Sequence, residues 1–509
     1  MSYDAIVVGG GHNGLVAAAY LGRAGKRVLL LERLGEVGGA AVSAQAFRGV
    51  DARLSRYSYL VSLLPPRIVD DLGAPVRLAR RGYSSYTPDP ATAGRTGLLV
   101  GPHSTFAAIG ADDDAERFAE FYRRCRRVTE AVRPSLTEPM LTRSQARERV
   151  RDDAAWQSMI DEPIGHAIDA AVASDVVRGV IGTDALIGTF ARLDDESLRQ
   201  NICFLYHVIC DWDVPVGGMG TLTTALAAIA AHHGIEIVTG ADVFAVDGDG
   251  EVRYRLGDDE RRAHGRLILS GVTPAVLARM LGETTPAALP GAQVKVNLML
   301  RRLPRLRDET VSPEAAFGGT LHINESAGQL DEAYGHAFHG AIPDPLPCEI
   351  YCHSLTDPSI LSPPLRASGA HTLTVFGLHT PHGVVDISDP DALRSRLTAA
   401  VLDSMNSLLA EPIQDVVMRD ADGRDCVETK TTLDLEQTLG MTAGNIFHGG
   451  LMWPFAEDGE PLDTPARRWG VATRYDRILL CGSSARRGGA VSGIGGHNAA
   501  MAVLETTRQ

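Results

Sequence analysis

The chain has only three lysines, Lys26, Lys295 and Lys430, among 49 basic residues, so chemistry that needs an amine has few candidates. Lys295 lies in GAQVKVNLML, residues 291–300. Strand alternation there puts Val294, Val296, Leu298 and Leu300 on one face and Lys295, Asn297 and Met299 on the other. On an exposed face this lysine is an ordinary strand residue. Partly desolvated, it becomes a base or a fixed local positive charge. His448 stands in the glycine-flanked GNIFHGG, residues 444–450, and reads equally as a structural hydrogen-bonding group and as a substrate contact. The seven cysteines are scattered without a CxxC pair, which fits reduced thiols and excludes a disulfide reductase or a zinc site.

The sharpest spacing is Gly9, Gly11 and Gly14, directly after the apolar run AIVV (5–8) and before an Ala- and Leu-rich helical stretch closed by Gly25. A second apolar run, VLLL (28–31), follows and ends on Glu32. That is a βαβ unit with a dinucleotide fingerprint: a glycine for the tight turn, one for close approach to pyrophosphate, and one for helix–strand contact. The helix N-terminus faces the phosphates. Glu32 accepts from ribose hydroxyls and repels a 2′-phosphate, so NADP is disfavoured. Two further glycine clusters favour FAD over NAD: ERLGEVGGAA (32–41) and CGSSARRGGAVSGIGG (481–496). The first brings backbone near the ribityl chain. The second, a turn leading into a helix, points N–H groups at the flavin ring.

The elements that must position these residues come from a chain of 509 residues, too long for one compact core. Hydrophobic residues at 44% and charged residues at 22% fit an ordinary globular protein. A net charge of -14 opposes nucleic acid and anionic lipid as partners. The N-terminus enters a strand at once, and no window has ~18 consecutive apolar residues, so a cytoplasmic protein with at most peripheral membrane contact is expected. Composition shifts to helical, Arg- and Asp-rich segments after residue 76, returns to glycine turns and strands at 212–290, and changes again at 291–455. This predicts a discontinuous FAD-binding domain (1–75, 212–290 and 456–509) and a substrate domain (76–211 and 291–455). The arginines at 123, 124, 126 and 127 read as a solvated helix face.

Several motifs together carry a family resemblance: VVGGGHNGLVAAAYLGRAGKRVLLLER, SRYSYLVSLLPPRIVDDLG, PVGGMGTLTTALA, ILSGVTP, GNIFHGG and LLCGSSARRGGAVSGIGGHNAA. The chain resembles the phytoene desaturase-type FAD oxidoreductases, and most closely the family of pyridine nucleotide-disulphide oxidoreductase domain-containing protein 2. The resemblance implies an α/β fold with a discontinuous Rossmann-type FAD-binding lobe and a second, mixed-sheet plus helical substrate lobe, as in flavin amine oxidases and phytoene desaturases. It implies that Gly9, Gly11, Asn13, Gly14, Glu32, Arg33, Gly39 and Ala40 hold the ADP half of FAD and that Val243 meets the adenine through its backbone. Gly482, Ser483, Val491 and Gly493 would hold the ribityl chain and isoalloxazine. It brings Arg56 and Tyr57 near the flavin, with packing or ion pairing as their other reading. His12 and His497, in the glycine turns, belong near FAD without a need for catalysis.

The segment around Lys295 resembles the strand on which flavin amine oxidases place a lysine whose water bridges to flavin N5. Where relatives carry His-Pro this chain has Arg486-Arg487, and LMWPFAEDGEPLDTP (451–465) replaces an aromatic segment. Both departures are expected to border the flavin and the substrate entrance, which argues against a carotenoid. The function implied is hydride transfer from an apolar or amine-bearing small molecule to flavin N5, with O2 or a quinone as acceptor, since no second dinucleotide unit occurs. An amine-oxidase-like enzyme using O2 and a non-catalytic, FAD-stabilised protein are the alternatives. Nothing in the sequence opposes a homo-oligomer.

Overall fold

A computed structural model describes residues 2–61, 63–384 and 388–506. The chain opens with β1 (Ser2–Val8), α1 (His12–Arg23) and β2 (Val28–Glu32). Two short strands follow, β3 (Ser85–Pro88) and β4 (Gly97–Val100), and then the helices α2 (Asp114–Val132), α3 (Asp175–Gly182) and α4 (Arg199–Val208). Next come α5 (Gly220–His232), β5 (Glu236–Thr239), β6 (Ala241–Val246), β7 (Glu251–Leu256) and β8 (Asp259–Ser270). The strands β9 (Val294–Leu300), β10 (Thr320–Ile323), β11 (Cys348–Tyr351) and β12 (His371–Gly377) lead to α6 (Pro390–Leu408) and β13 (Val427–Lys430). The chain closes on β14 (Ile478–Leu480) and α7 (Ile494–Thr506).

Two seven-stranded sheets organise these elements. The first has the order β6-β7-β8-β1-β2-β5, with β14 alongside β8. Its centre is parallel: β1 pairs with both β2 and β8, β2 with β5, and β8 with β14. Ala5, Val7, Val28 and Leu30 face a core shared with α1, α5 and α7, while Ile6, Val8, Leu29 and Leu31 face a second core with Val243 and Tyr254. Burial on both faces is why these strands read as unbroken apolar runs.

The second sheet has the order β13-β9-β12-β11-β10-β3-β4 and is antiparallel except at β10–β3. Here β9 departs from a surface reading, for all seven of its residues are buried. Val294, Val296, Leu298 and Leu300 pack into the sheet's own core, whereas Met299 joins a cluster with Phe47, Val50 and Leu54. The opposite face, Lys295 included, is therefore covered by the segment that follows the first βαβ unit. Lys295 is not a surface residue.

Two glycines set the tightest contacts of the first lobe. A Cβ on Gly14 would lie 2.1 Å from the Gly9 carbonyl oxygen, and one on Gly496 1.9 Å from that of Asn13. Only glycine lets α1 descend onto β1 and α7 lie against α1. Among the described residues no helix is long and apolar enough to cross a membrane.

The Arg486-Arg487 pair departs from the expected place at the flavin border. Arg486 pairs with Glu460 at 2.8 Å. Arg487 is 1% exposed and donates to the carbonyls of Ser135, Glu138 and Trp469. Burial pulls its pKa down to about 10, and among the described residues it joins no ion pair. The guanidinium ties the turn that follows α2 to the C-terminal turn. From LMWPFAEDGEPLDTP only Leu451 reaches the cavity described below, while Trp453 and Phe455 stack into the helical core. Arg487→Met should strip three buried carbonyls of their donor and lower the unfolding free energy by about 3 kcal/mol or more. A urea midpoint equal to wild type at the same m value would refute this anchoring role.

Candidate active site

The C-terminal ends of β1, β2 and β8 open into a cavity of about 530 Å3, within the ~300–1,000 Å3 of small-molecule and cofactor sites. Its first end is built by the glycine loop. Gly9 has φ 104°, and the Gly38 N–H donates to the Gly10 carbonyl at 2.8 Å, bringing the second glycine cluster beside the first. A Cβ on Gly11 would meet nothing within 4 Å, so this face of the loop is open to a ligand. Asn13 Nδ2 donates to Ser483 Oγ at 3.5 Å, joining the first loop to the last.

Gly9, Gly11, Asn13, Gly14, Glu32, Arg33, Gly39, Ala40, Val243, Gly482, Ser483 and Val491 all line this cavity. Gly493 does not: a side chain there would meet Val16, Ile68 and Leu64 in the core behind the turn. Glu32 has work the sequence did not disclose. Its two carboxylate oxygens accept the Gly10 and Leu34 N–H groups at 2.7 and 2.8 Å, so it also locks the glycine loop to the end of β2. Each oxygen keeps capacity for a further donor, and Glu32 lines the cavity. His12 Nε2, Asn13 Oδ1 and His448 Nδ1 are buried without a partner among the described residues. These orphaned polar atoms and the open face of Gly11 fit a dinucleotide.

His448 takes φ 62°, a left-handed conformation in which Asn445 holds the following turn through the Phe447 N–H at 2.9 Å. Burial pulls His448 down to about 4, and His12 likewise, with the His448 charge adding to the effect on His12. Both imidazoles are neutral near pH 7.

The other end of the cavity is aromatic. Tyr59 packs against Trp212, Tyr351 and Phe376 with ring centroids 5.7, 4.9 and 4.8 Å away. Tyr206 and His207 of α4 close the wall. Tyr57 lies on the wall as expected, and burial raises its pKa. Arg56 does not; it is turned to Glu428, at 2.7 Å. Lys295 is also off the wall, one layer behind it. Its ammonium donates to the Ser55 carbonyl and sits 5.7 Å from the Phe376 ring centroid. Asn297 Nδ2 reaches the Arg56 carbonyl at 3.4 Å, so the two β9 side chains hold the segment that carries Tyr57. Burial, reinforced by the nearby Lys430 charge and opposed by Glu428, brings Lys295 down to about 7.

The registers of the second sheet align Lys430, Lys295, Phe376, Glu349 and His322 as one cross-strand row. Beyond Phe376 this row enters an acidic pocket that local patterns do not announce. Asp184, Glu325 and Glu349 converge there from three separate segments, and burial raises Asp184 to about 7 and Glu349 to about 8. Only tertiary contact brings them together.

Residues 7–67 match the NAD(P)-binding Rossmann-like domain family. An uncharacterized protein of Mycobacterium tuberculosis is 66% identical over 99% of this chain and 97% of its own. The phytoene dehydrogenase of Streptomyces griseus is 29% identical over 64% of this chain and 66% of its own. A solved putrescine oxidase variant superposes with a TM-score of 0.62 at 15% identity, covering 100% of both chains. Cyclohexylamine oxidase of Brevibacterium oxydans superposes with a TM-score of 0.55 at 14% identity, also over 100% of both chains. These place the two-lobed architecture in the flavin amine oxidase fold. Pyridine nucleotide-disulfide oxidoreductase domain-containing protein 2 of Rattus norvegicus is 30% identical over 99% of this chain and 93% of its own. With that likeness running from end to end, the chain belongs to the family of this rat protein, and is an oxidoreductase of the flavin type.

Proposed function

We propose that the cavity binds FAD without a covalent link and that the enzyme oxidises an apolar or amine-bearing small organic molecule, introducing a C=C or C=N bond. One observation carries this reading: a single cavity joins a glycine-rich, hydrogen-bonding end at the strand termini to an aromatic end. FAD, when bound, supplies the two-electron acceptor chemistry at N5. The residues of the chain bind, orient and dry the reactants. Gly9, Gly11 and Gly14 admit the pyrophosphate, Glu32 receives ribose hydroxyls, and Val243 meets the adenine through its backbone. Gly482, Ser483 and Val491 face the flavin half. Tyr59, Trp212 and Phe376 exclude water from the substrate and favour a flat, apolar or cationic one. His448, neutral at pH 7, offers Nδ1 to a donor on the substrate or the ring. O2 or a quinone is the acceptor we infer.

The buried lysine favours the amine-oxidase-like branch. Lys295 holds the Ser55–Tyr57 backbone and places a titratable amine behind Phe376, so we read it as a positioning residue with an electrostatic effect on the ring.

Three outcomes test this reading. Acid precipitation should release intact FAD into the supernatant, because no cysteine or histidine stands in a flavinylation motif; yellow colour retained in the pellet would refute it. Glu32→Ala should weaken FAD binding at least about tenfold, since a charge-assisted hydrogen bond is worth roughly 1.5–3 kcal/mol. Unchanged affinity in a flavin fluorescence titration would sink the ribose assignment.

Lys295→Met should keep FAD bound yet slow flavin reduction by an amine, or reoxidation by O2, at least about tenfold, roughly 1.4 kcal/mol of barrier. The neutral amine of Lys295 grows as pH rises through about 7. The wild-type rate should therefore change across that pH, and the variant's should not. Rapid mixing that shows both half-reactions and their pH profiles unaltered would reduce Lys295 to a structural residue. Flavin that no amine or apolar substrate ever bleaches anaerobically would favour a non-catalytic protein.

A further inference from the structure

Behind the aromatic wall, His322, Glu325 and Glu349 each offer a ligand atom, and these atoms lie within 4.8 Å of one another. His322 and Glu349 face each other directly across the β10–β11 pair, so their side chains share one face of the sheet. Glu325 follows two residues after β10, where Asn324 takes φ 56° and turns the chain. The three side chains are nearly sealed from solvent, at 4%, 1% and 1% exposure.

Glu325 is the informative member, because both of its oxygens are buried without any hydrogen-bond partner among the described residues. The Thr183 hydroxyl donates to Glu349 at 3.3 Å and also lies near enough to Glu325 to favour its charged form, without a bond of good geometry to it. Asp184 brings a third carboxyl into the same field. Among the described residues, none of the three carboxylates joins an ion pair, although thirty such pairs occur elsewhere in the molecule. The nearby guanidinium of Arg81 donates to the Trp212 carbonyl and the Thr320 hydroxyl and acts on Asp184 and Glu349 only through its field. The pocket thus gathers three carboxyls around one guanidinium, and a cation entering it would meet little competing positive charge.

We propose that His322, Glu325 and Glu349 bind one divalent first-row transition cation, with Asp184 as an outer counter-charge. One imidazole nitrogen and two carboxylate oxygens are a donor set that suits Zn2+ or Mn2+. Bonds of about 2.0–2.2 Å put ligand atoms roughly 3–4 Å apart around a shared ion, so the set closes on one through small side-chain shifts. The second coordination layer is already built. His322 Nδ1 and Thr87 Oγ1 lie 3.0 Å apart, and an Nδ1–H donated to that hydroxyl leaves Nε2 as the ligand. The Tyr351 hydroxyl donates to Glu349 at 2.6 Å. Through Tyr351, which packs on Tyr59, the cation braces the aromatic end of the flavin cavity.

The test uses the FAD-loaded full-length protein, purified without chelator. Elemental analysis should find about one equivalent of Zn, Mn or a neighbouring metal. Dialysis against a chelator should lower the melting temperature, and added Mn2+ or Zn2+ should restore it by mass action. Glu325→Gln and His322→Gln should lose the metal and the Mn2+-dependent shift while still binding FAD. A wild-type protein with neither bound metal nor any thermal response to Mn2+ and Zn2+ would overturn the proposal without need of a variant. Undiminished metal in both variants would overturn it too, by locating the ion elsewhere.

Discussion

The cavity exists because two helices from opposite ends of the chain meet with backbone touching backbone. At Gly496 the last helix lies so close to Asn13 that even a methyl group would come within 1.9 Å of a carbonyl oxygen. That contact brings the C-terminal glycine turn over the N-terminal one and lets Asn13 reach Ser483. Neither turn alone encloses a ligand. The first contributes the glycine loop at the strand ends, and the last contributes Gly482, Ser483 and Val491 to the same cavity. A larger residue at the crossing would push the two apart and open the cavity along its length.

The helical lobe is secured to this frame by polar contacts as well as by apolar packing. Arg487 reaches from the C-terminal turn to the carbonyls of the turn that follows α2. A buried cation satisfied by carbonyl dipoles alone is costly to desolvate, but its planar fork fixes direction in a way that apolar contact does not. The segment it captures leads toward α4, whose side chains Cys203, Tyr206 and His207 line the aromatic end of the cavity. The geometry of that end therefore depends on a residue that never touches it.

What could be read from the residues divides along a physical line. The glycine loop, Glu32, the second glycine cluster and the C-terminal turn were legible because each is a local backbone requirement, expressed within a few residues. The parallel strands were legible because burial on both faces leaves an unbroken apolar run. Lys295 could be assigned to a face of its strand, but not to the interior, because what covers that face is a segment about 240 residues away. Arg486-Arg487 was misjudged for the same reason: position in the chain suggested the flavin border, while the pocket that swallows Arg487 is made by Ser135 and Glu138. Glu32 showed one role and concealed another, since its bonds to Gly10 and Leu34 depend on the loop's conformation. The acidic pocket had no signal at all, being drawn from residues as distant as Asp184 and Glu349.

The cross-strand row of the second sheet explains why the two buried charge clusters stay distinct. Neighbouring strands are ~4.8 Å apart, so Lys295 and Glu349, two strands from each other, stand roughly 10 Å apart with Phe376 between them. Too far to pair directly, both remain in a low-dielectric interior where an unpaired charge is most costly and most responsive. The lysines on one side are partly balanced by Glu428, which meets Lys430 at 3.5 Å. Among the described residues the carboxyls on the other side join no ion pair, and Arg81 acts on them only through its field. The sheet thus sets a basic cluster and an acidic cluster on either side of the aromatic wall that Phe376 forms with Tyr59.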